Sequence, residues 1–381
     1  MAAPTLTRGR LRRLAELRVT RGRVLSVFLD LDPRQFSTAP ARATATNSLL
    51  NEAHRRVEEC DGLDHDEHQA LRADLERVRA ELARPDLATG GTKGVAVYAS
   101  TGADLFEAVR LPHPVASRVV IDTSPWIEPL VLMGAPERWG VLLANRRCAR
   151  ILVGSSEGFE EVAKIEGEST VAEYDSGGSQ ARSDHIVEEE TRHHLQRVAE
   201  ELFARFKHQP FDRLLVGTPN ELHSETVDRL HPYLRDRLAG RISADVENAG
   251  LEQVREAAAP LIDEDQRGRE RQVLDRLAAG IGRGEKAVAG LADTLEALNE
   301  SRVEVLLFEE RFRAAGMVEI RTGMLTVDGG TVPVEDPALE ARDDVLEPAI
   351  ERAIEQSAEV MAVRRYPDLG AYGGIGAILR F

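Results

Sequence analysis

The 381-residue sequence has only two cysteines, Cys60 and Cys148, and they lie far apart. Two such cysteines exclude a disulfide scaffold and a zinc module built on cysteine ligands, and they fit the reducing cytoplasm. No apolar run reaches about 18 residues, which excludes a membrane-spanning helix. The arginine-rich N-terminus has no apolar stretch of the kind that secretory signals carry. We therefore expect a cytoplasmic protein without a membrane partner.

Positive charge is also in deficit, since 65 acidic residues against 49 basic ones give a formal net charge of -16. This balance argues against a protein that holds nucleic acid by bulk electrostatic attraction. One exception is an arginine-rich segment near the N-terminus, which contains Arg10, Arg12 and Arg13. It is either an edge that contacts RNA phosphates or the solvated face of a first helix.

Apolar residues make up 42% of the chain, enough for two or three domains with cores of their own. Strand-like and helix-like patterns alternate along the whole sequence, which predicts an α/β fold. We expect a three-domain architecture in which each domain is a mixed sheet with packed helices. The predicted domains are an N-terminal domain at residues 1–136, a central domain at 137–248 and a C-terminal domain at 249–381.

The main chemical signal is the sequence Gly177-Gly178-Ser179-Gln180, which lies in a polar stretch. Two adjacent glycines let a backbone come close to a ligand and take positive φ angles. Gln180 offers one acceptor and two donor hydrogens, so it can orient a water molecule without titrating. We predict a helix from near Asp184, whose N-terminus would favour an anionic ligand next to the loop. A flexible Gly-Ser linker has the same composition and is the alternative.

Other readings of this region are weaker. Ser179 as a nucleophile would need a hydrophobic strand directly before it, and the preceding residues are polar. A metal site is conceivable among six neighbouring side chains, but they lack the His-Glu-x-x-His pattern of helical zinc ligands. They are His185, Glu188, Glu189, Glu190, His193 and His194. We therefore expect the outer face of an amphipathic helix there, and neither a metal nor another cofactor.

Another glycine pattern, Gly280-Ile281-Gly282, resembles half of a dinucleotide-binding fingerprint. It follows a helical pattern where that fingerprint needs a strand, so we predict a loop between two helices over residues 280–286.

The order of several segments resembles a known family. GVLLANRRCARILVG, the Gly-Gly…Gln loop, EEETRHHLQRVAEEL and LLVGTP are similar to the central domain of archaeal and eukaryotic class-1 peptide chain release factors. ADTLEALNESRVEVLLFEE is similar to their C-terminal domain. SVFLDLDP, KGVAVYAS and GGIGAILRF resemble the bacterial branch of that superfamily. Release factors carry Gly-Gly-Gln, whereas Gly-Gly-Ser-Gln is similar to the peptidyl-tRNA hydrolases of ribosome quality control.

The resemblance implies hydrolysis of peptidyl-tRNA on stalled ribosomes. Gln180 would position the attacking water, Gly177 and Gly178 would let the loop pack against the tRNA end, and Ser179 and Arg182 would contact the substrate. The implied partners are the large ribosomal subunit, tRNA, ribosomal RNA and a translational GTPase.

The sequence lacks the Asn-Ile-Lys-Ser decoding motif, so stop-codon reading is not implied.

Two alternatives to ester hydrolysis stay open. Relatives of this kind also cleave the tRNA 3′ end, and the sequence does not separate the two bonds. A factor that occupies the ribosomal A site during dormancy, without catalysis, is the other alternative.

Overall fold

The structure is a computed structural model that describes residues 8–87, 91–134, 137–167 and 180–381. Helices and strands alternate in it, which confirms the predicted α/β class. The helices are α1 (Arg8–Ala15), α2 (Ala39–Glu58), α3 (His65–Leu82), α4 (Glu128–Met133), α5 (Gln180–His208), α6 (Asn220–Arg229), α7 (Pro232–Arg235), α8 (Leu251–Arg283), α9 (Leu291–Asn299) and α10 (Leu346–Glu355).

The strands form four sheets within the described residues. They are β1 (Val24–Asp30), β2 (Gly94–Ser100), β3 (Leu105–Leu111), β4 (Arg118–Asp122), β5 (Trp139–Ala144), β6 (Cys148–Ser155), β7 (Gly158–Glu166), β8 (Arg213–Gly217), β9 (Leu238–Arg241), β10 (Ala287–Ala289), β11 (Val303–Glu309), β12 (Gly316–Glu319), β13 (Leu325–Val327), β14 (Leu339–Arg342), β15 (Glu359–Val363) and β16 (Ile375–Leu379).

The chain divides into two compact units. Met1–Ala135 together with Glu270–Phe381 form one, which we call the terminal unit, and Pro136–Arg269 form the other, the central unit. The division into three domains at residues 136 and 248 stays a prediction.

The central unit is built on a five-stranded mixed sheet in the order β7-β6-β5-β8-β9. Strand β5 pairs antiparallel with β6 and parallel with β8, so the sheet changes direction at its middle. Successive side chains of a strand point to opposite faces, and both faces of β5 are buried. Leu142 packs in a cluster with Leu195 and Leu202 of α5, whereas Val141 packs in a cluster with Val254 of α8.

The terminal unit contains the other three sheets. Their orders are β3-β2-β1-β4, β10-β16-β11-β15 and β13-β12-β14. One hydrophobic cluster contains Leu14 and Phe28 from the start of the chain, and Phe308 and Leu346 from its last third. These two distant parts of the sequence therefore share one core.

Many elements have the bounds that their sequence patterns predict. The sequence RISADV at residues 241–246 also predicts a strand, and this prediction is wrong. Strand β9 ends at Arg241, and the N–H of Ile242 adds one more bond to the carbonyl of Val216, at 3.1 Å. The carboxylate of Asp245 then accepts the backbone N–H groups of Glu247 and Asn248, each at 2.9 Å. An aspartate that bonds its own neighbouring backbone favours a turn over a strand.

The predicted loop at residues 280–286 is also wrong in its first half, because α8 continues to Arg283. Gly280 is needed there for packing. A Cβ atom at this position would lie 2.6 Å from the Cβ of Ala287. The glycine lets β10 approach the helix closely, and the turn itself falls at Gly284, whose φ is +67°.

Candidate functional site

The segment that joins β7 to α5 carries the predicted catalytic residues. Gly177, Gly178 and Ser179 lie outside the described residues, whereas Gln180 is the first residue of α5. The helix thus begins four residues before the predicted start at Asp184. This correction places Gln180 and Arg182 in the first turn of a 29-residue helix. The first-turn N–H groups of a helix have no partner within it, and they favour an anion or a polar ligand.

The end of β7 before this segment is held by two hydrogen bonds. The N–H of Gly167 donates to the carbonyl of Arg147 at 2.5 Å. Nη2 of Arg197, on α5, donates to the carbonyl of Glu166 at 3.0 Å. A Cβ atom on Gly167 would lie 2.9 Å from the carbonyl oxygen of Arg147, so the close approach requires glycine. The chain therefore leaves the sheet at a fixed point.

The turn between β5 and β6 supplies this anchor. Oδ1 of Asn145 accepts the backbone N–H groups of Arg147 and Cys148 at 2.7 and 2.8 Å. The backbone N–H of Asn145 donates to the carbonyl of Cys148 at 2.9 Å, which closes the turn. The two arginines between them, Arg146 and Arg147, are exposed. Nη2 of Arg146 lies 4.0 Å from Oε1 of Glu221, and the backbone carbonyl of Arg147 holds Gly167.

Helix α5 is fixed to the sheet by one buried stripe of apolar residues, which the sequence periodicity predicts. Leu195, Val198 and Leu202 are 1% exposed or less. His194 is also buried on this face, and burial lowers the pKa of its imidazole, although the backbone of Cys148 opposes the shift. His194 is therefore neutral at neutral pH, and it lies directly before Leu195 on the packed side of the helix.

An open groove of about 700 Å³ lies between β7 and α5. Three cations, Lys164, Arg197 and Arg205, line it together with three carboxylates, those of Glu166, Glu200 and Glu201. The charges balance, so the groove does not select an ion by net charge.

The residues considered as metal ligands show no such arrangement where the structure describes them. Glu189 and His193 are exposed partners, with 3.7 Å between Oε1 and Nε2. Within residues 8–87, 91–134, 137–167 and 180–381, no group of three or more His, Cys, Asp or Glu side chains is placed to hold a metal ion. In the same described part of the chain, no helix is long and apolar enough to cross a membrane.

The three arginines predicted to touch RNA lie on α1 and are all engaged in ion pairs. Arg10 and Arg13 both bind the carboxylate of Glu107, which is 7% exposed. Nε of Arg12 lies 2.7 Å from Oε1 of Glu16, and both side chains are about half exposed. Arg10 and Arg13 therefore have a structural role that the sequence did not reveal, and RNA contact by the three arginines stays a prediction.

Sequence reasoning predicted Gly177, Gly178 and Gln180 as site residues, but it missed the residues that hold the end of β7. Asn145, Arg147 and Arg197 fix the chain on the sheet side of the predicted loop. The only available signal was Asn-Arg-Arg between two strands, which predicts a turn but does not show which segment the turn supports.

The fold and the site define an α/β protein. In its sequence, Gly-Gly-Ser-Gln follows the last residues of a strand of the mixed central sheet and leads into one long helix. Comparison with known proteins identifies the class further. Residues 125–262 match the family model of the bacterial archaeo-eukaryotic release factor family 10. This part of the chain is thus similar to the bacterial archaeo-eukaryotic release factors.

The chain is similar to a curated protein and to two solved structures. The peptide chain release factor subunit 1 of Methanocaldococcus jannaschii is 24% identical over 238 residues, which are 57% of this chain and 56% of that protein. The chain thus spans little more than half the length of this curated relative. The crystal structure of an archaeal translation termination factor, aRF1, is 17% identical, covers 99% of each chain and has a TM-score of 0.27. A model of ribosome-bound archaeal Pelota and ABCE1 is 13% identical, covers 100% of this chain and 95% of that one, and has a TM-score of 0.43.

Proposed function

We propose that this chain is a ribosome-associated factor that hydrolyses peptidyl-tRNA on stalled ribosomes without reading a stop codon. One observation carries the proposal. Gly177-Gly178-Ser179-Gln180 stands where α5 begins, inside the segment that matches the release factor family. The first turn of α5 contains no acidic residue, so no carboxylate of that turn repels an anionic tRNA end.

The chemistry is acyl transfer to water. The oxygen of a water molecule attacks the ester carbonyl that joins the peptide to the tRNA ribose, and the ester C–O bond then breaks. The peptide leaves with a free carboxyl group, and the proton from the water passes to the ribose oxygen of the tRNA. Gln180 orients the water, and the glycines allow the backbone to lie against the tRNA end. The rate gain comes from positioning, which needs no titrating side chain.

The test uses purified protein with large ribosomal subunits that carry a labelled peptidyl-tRNA. Gln180→Ala should lower the rate of peptide release by about 10²–10³, the loss typical of a positioned polar group in acyl-transfer sites. Ribosome binding should stay near that of the wild type, because the contact acts in the transition state. Gln196→Ala is the matched control, since Gln196 lies on the same helix and bonds only the exposed Glu200 in the structure. Full activity of Gln180→Ala would refute the mechanism.

Ser179→Ala separates water positioning from a serine nucleophile. A water-positioning segment should keep its activity, whereas a nucleophile would lose all of it. The products separate the two bonds as well. Ester hydrolysis leaves a tRNA of full length, and cleavage of the 3′ end leaves a shortened one. Stable binding by a wild type that releases no peptide would favour the dormancy factor.

A further inference from the structure

The far end of α5 carries a row of neighbouring aromatic rings on the surface of the central unit. Phe203 is stacked with both Phe206 and His231. Phe211 meets Phe206 edge to face, and Tyr233 is tilted by 37° from His231. We call Phe211, Phe206, Phe203, His231 and Tyr233 the aromatic ladder. Ring centroids are 5.1 Å apart for Phe211 and Phe206, 6.4 Å for Phe206 and Phe203, 3.8 Å for Phe203 and His231, and 5.1 Å for His231 and Tyr233. Phe211 is 2% exposed and Tyr233 is 60% exposed, so the ladder runs from the core to solvent.

The outer end of the ladder is held in place. His231 and Phe203 are parallel within 7°. Nδ1 of His231 accepts the backbone N–H of Tyr233 at 3.3 Å, and Nη1 of Arg237 donates to the carbonyl of Tyr233 at 2.6 Å. The Tyr233 ring therefore projects from a fixed backbone, and a ligand that stacks on it need not order the backbone first.

Cationic side chains surround the ladder. Nζ of Lys207 lies 4.4 Å from the centroid of Phe203, and the guanidinium of Arg237 lies 4.9 Å from that of Phe206. Arg235, two residues after Tyr233, is exposed. Residues 203–208 and 231–237 together hold four Lys or Arg side chains and a single carboxylate, that of Asp236, in a chain whose net charge is -16. Of the four, Arg205 is paired with Glu201 at 2.6 Å.

Stability of the fold does not account for the exposed end of this arrangement. Aromatic residues are only 4% of the sequence, yet Phe203, Phe206, Phe211 and Tyr233 are gathered here. A ring that served the core alone would be covered, and Tyr233 is largely open to water. Stacked rings flanked by cations are the recognition surface of proteins that bind single-stranded nucleic acid, because every base has a π face and every linkage a phosphate.

We propose that the Tyr233 end of the aromatic ladder stacks an unpaired base of single-stranded RNA, while Lys207 and Arg235 contact the flanking phosphates. We favour RNA over a peptide partner because the surface offers both aromatic rings and positive charge. This site goes beyond the proposed hydrolysis. Phe203 is 23 residues from Gln180 on α5, which is about 35 Å at the rise of an α-helix.

The test measures fluorescence anisotropy of a labelled oligo(A) RNA of about ten nucleotides, a length within the usual site sizes for such surfaces. The full chain should bind it, and Tyr233→Ala should weaken binding by about 5- to 140-fold, the loss expected for one stacked base. Tyr233→Phe keeps the ring and should bind nearly as well as the wild type. Tyr372→Ala, in the terminal unit, is the control for loss of a tyrosine elsewhere. Circular dichroism should show that each variant is folded.

Phosphate contact has its own readout. Lys207→Ala and Arg235→Ala should each reduce the slope of log K against log salt by about 0.7, the value for one phosphate of a single strand. An RNA duplex of equal length should bind less tightly, because its bases are already stacked. Equal binding by Tyr233→Ala and the wild type would overturn the inference. A wild type that binds neither RNA would overturn it as well.

This experiment contains no ribosome and no peptidyl-tRNA, so its outcome is independent of the proposed hydrolysis. Gln180→Ala should bind oligo(A) as the wild type does. A protein that binds oligo(A) but releases no peptide would keep the RNA site and lose the hydrolase.

Discussion

Nη2 of Arg18 lies 2.8 Å from Oε2 of Glu351, a residue 333 positions later in the chain. The Glu351 side chain is 2% exposed, and burial raises the pKa of its carboxyl group to about 7, although Arg18 opposes the shift. Asp122 and Glu355 add repulsion from nearby carboxylates, while the Ser124 hydroxyl favours the ionised form. Burial also raises the pKa of the neighbouring Glu347 carboxyl well above its usual value.

This arrangement predicts that the terminal unit loses stability as the pH rises. The pKa of Glu351 is higher in the folded state, about 7, than its ordinary value of 4.5. Between these values the folded chain keeps a proton that the unfolded chain has released. The contribution to stability is therefore complete below about pH 4.5 and is lost as the pH rises through 7, by on the order of 3 kcal/mol.

Glu351→Gln should flatten this dependence, because the amide keeps the shape of the protonated carboxyl group and does not titrate. The measurement is urea unfolding at a series of pH values from 5 to 8. Glu355→Gln is the matched control, since Glu355 also pairs with Arg18, at 3.7 Å, but is 31% exposed. An unchanged slope in Glu351→Gln would assign the pH dependence to other groups.

A second prediction concerns Gly167. A Cβ atom in Gly167→Ala would push against the carbonyl of Arg147 and shift the chain where it leaves β7. We expect the rate of peptide release to fall about 10²-fold, as for catalytic groups misplaced by an ångström, while the melting temperature changes little. Gly158→Ala, at the first residue of β7, is the control, since a Cβ atom there meets nothing within 4 Å. Equal rates in both variants would mean that this anchor does not position the loop.

A third prediction concerns the arginines of α1. Replacing Arg10 and Arg13 would leave Glu107 buried without its partners, so a loss of binding would be confused with a loss of stability. Arg12→Ala is cleaner, because its pair with Glu16 is exposed and worth little. If Arg12 touches a ribosomal RNA phosphate, the slope of log K against log salt for ribosome binding should fall by about 0.7–0.9. An unchanged slope would mean that Arg12 lies on the solvated face of α1 and does not contact RNA.

Much of the fold could be predicted because apolar periodicity directly reflects burial. Strands β2 and β4 have the bounds that their sequences predict, and the stripe on α5 faces the sheet as its spacing requires. The small sheet of β12, β13 and β14 was not predicted. Its strands have only three or four residues, too few for an alternating pattern to stand out.

Glycine was the least reliable signal, since one residue type serves different purposes. The sequence predicts a loop at Gly280, but this glycine permits close packing of β10 on α8. Gly373 and Gly374 instead have φ angles of +73° and +80° at the turn into β16. The same limit applies to the site. The sequence predicts a role for Gln180 and a turn at Arg147, but it does not reveal that this turn holds Gly167 at the end of β7.

The core of the terminal unit contains residues from both ends of the chain, so it is completed only late in synthesis. A ribosome adds about 5–20 residues per second, so Glu351 is synthesised roughly 17–67 seconds after Arg18. Leu346, which belongs to the same hydrophobic cluster as Leu14 and Phe28, is synthesised after a similar delay. For most of its own translation the nascent chain therefore exposes an unfinished apolar surface. A truncated product that ends before α10 would keep that surface open and become a substrate for chaperones and proteases.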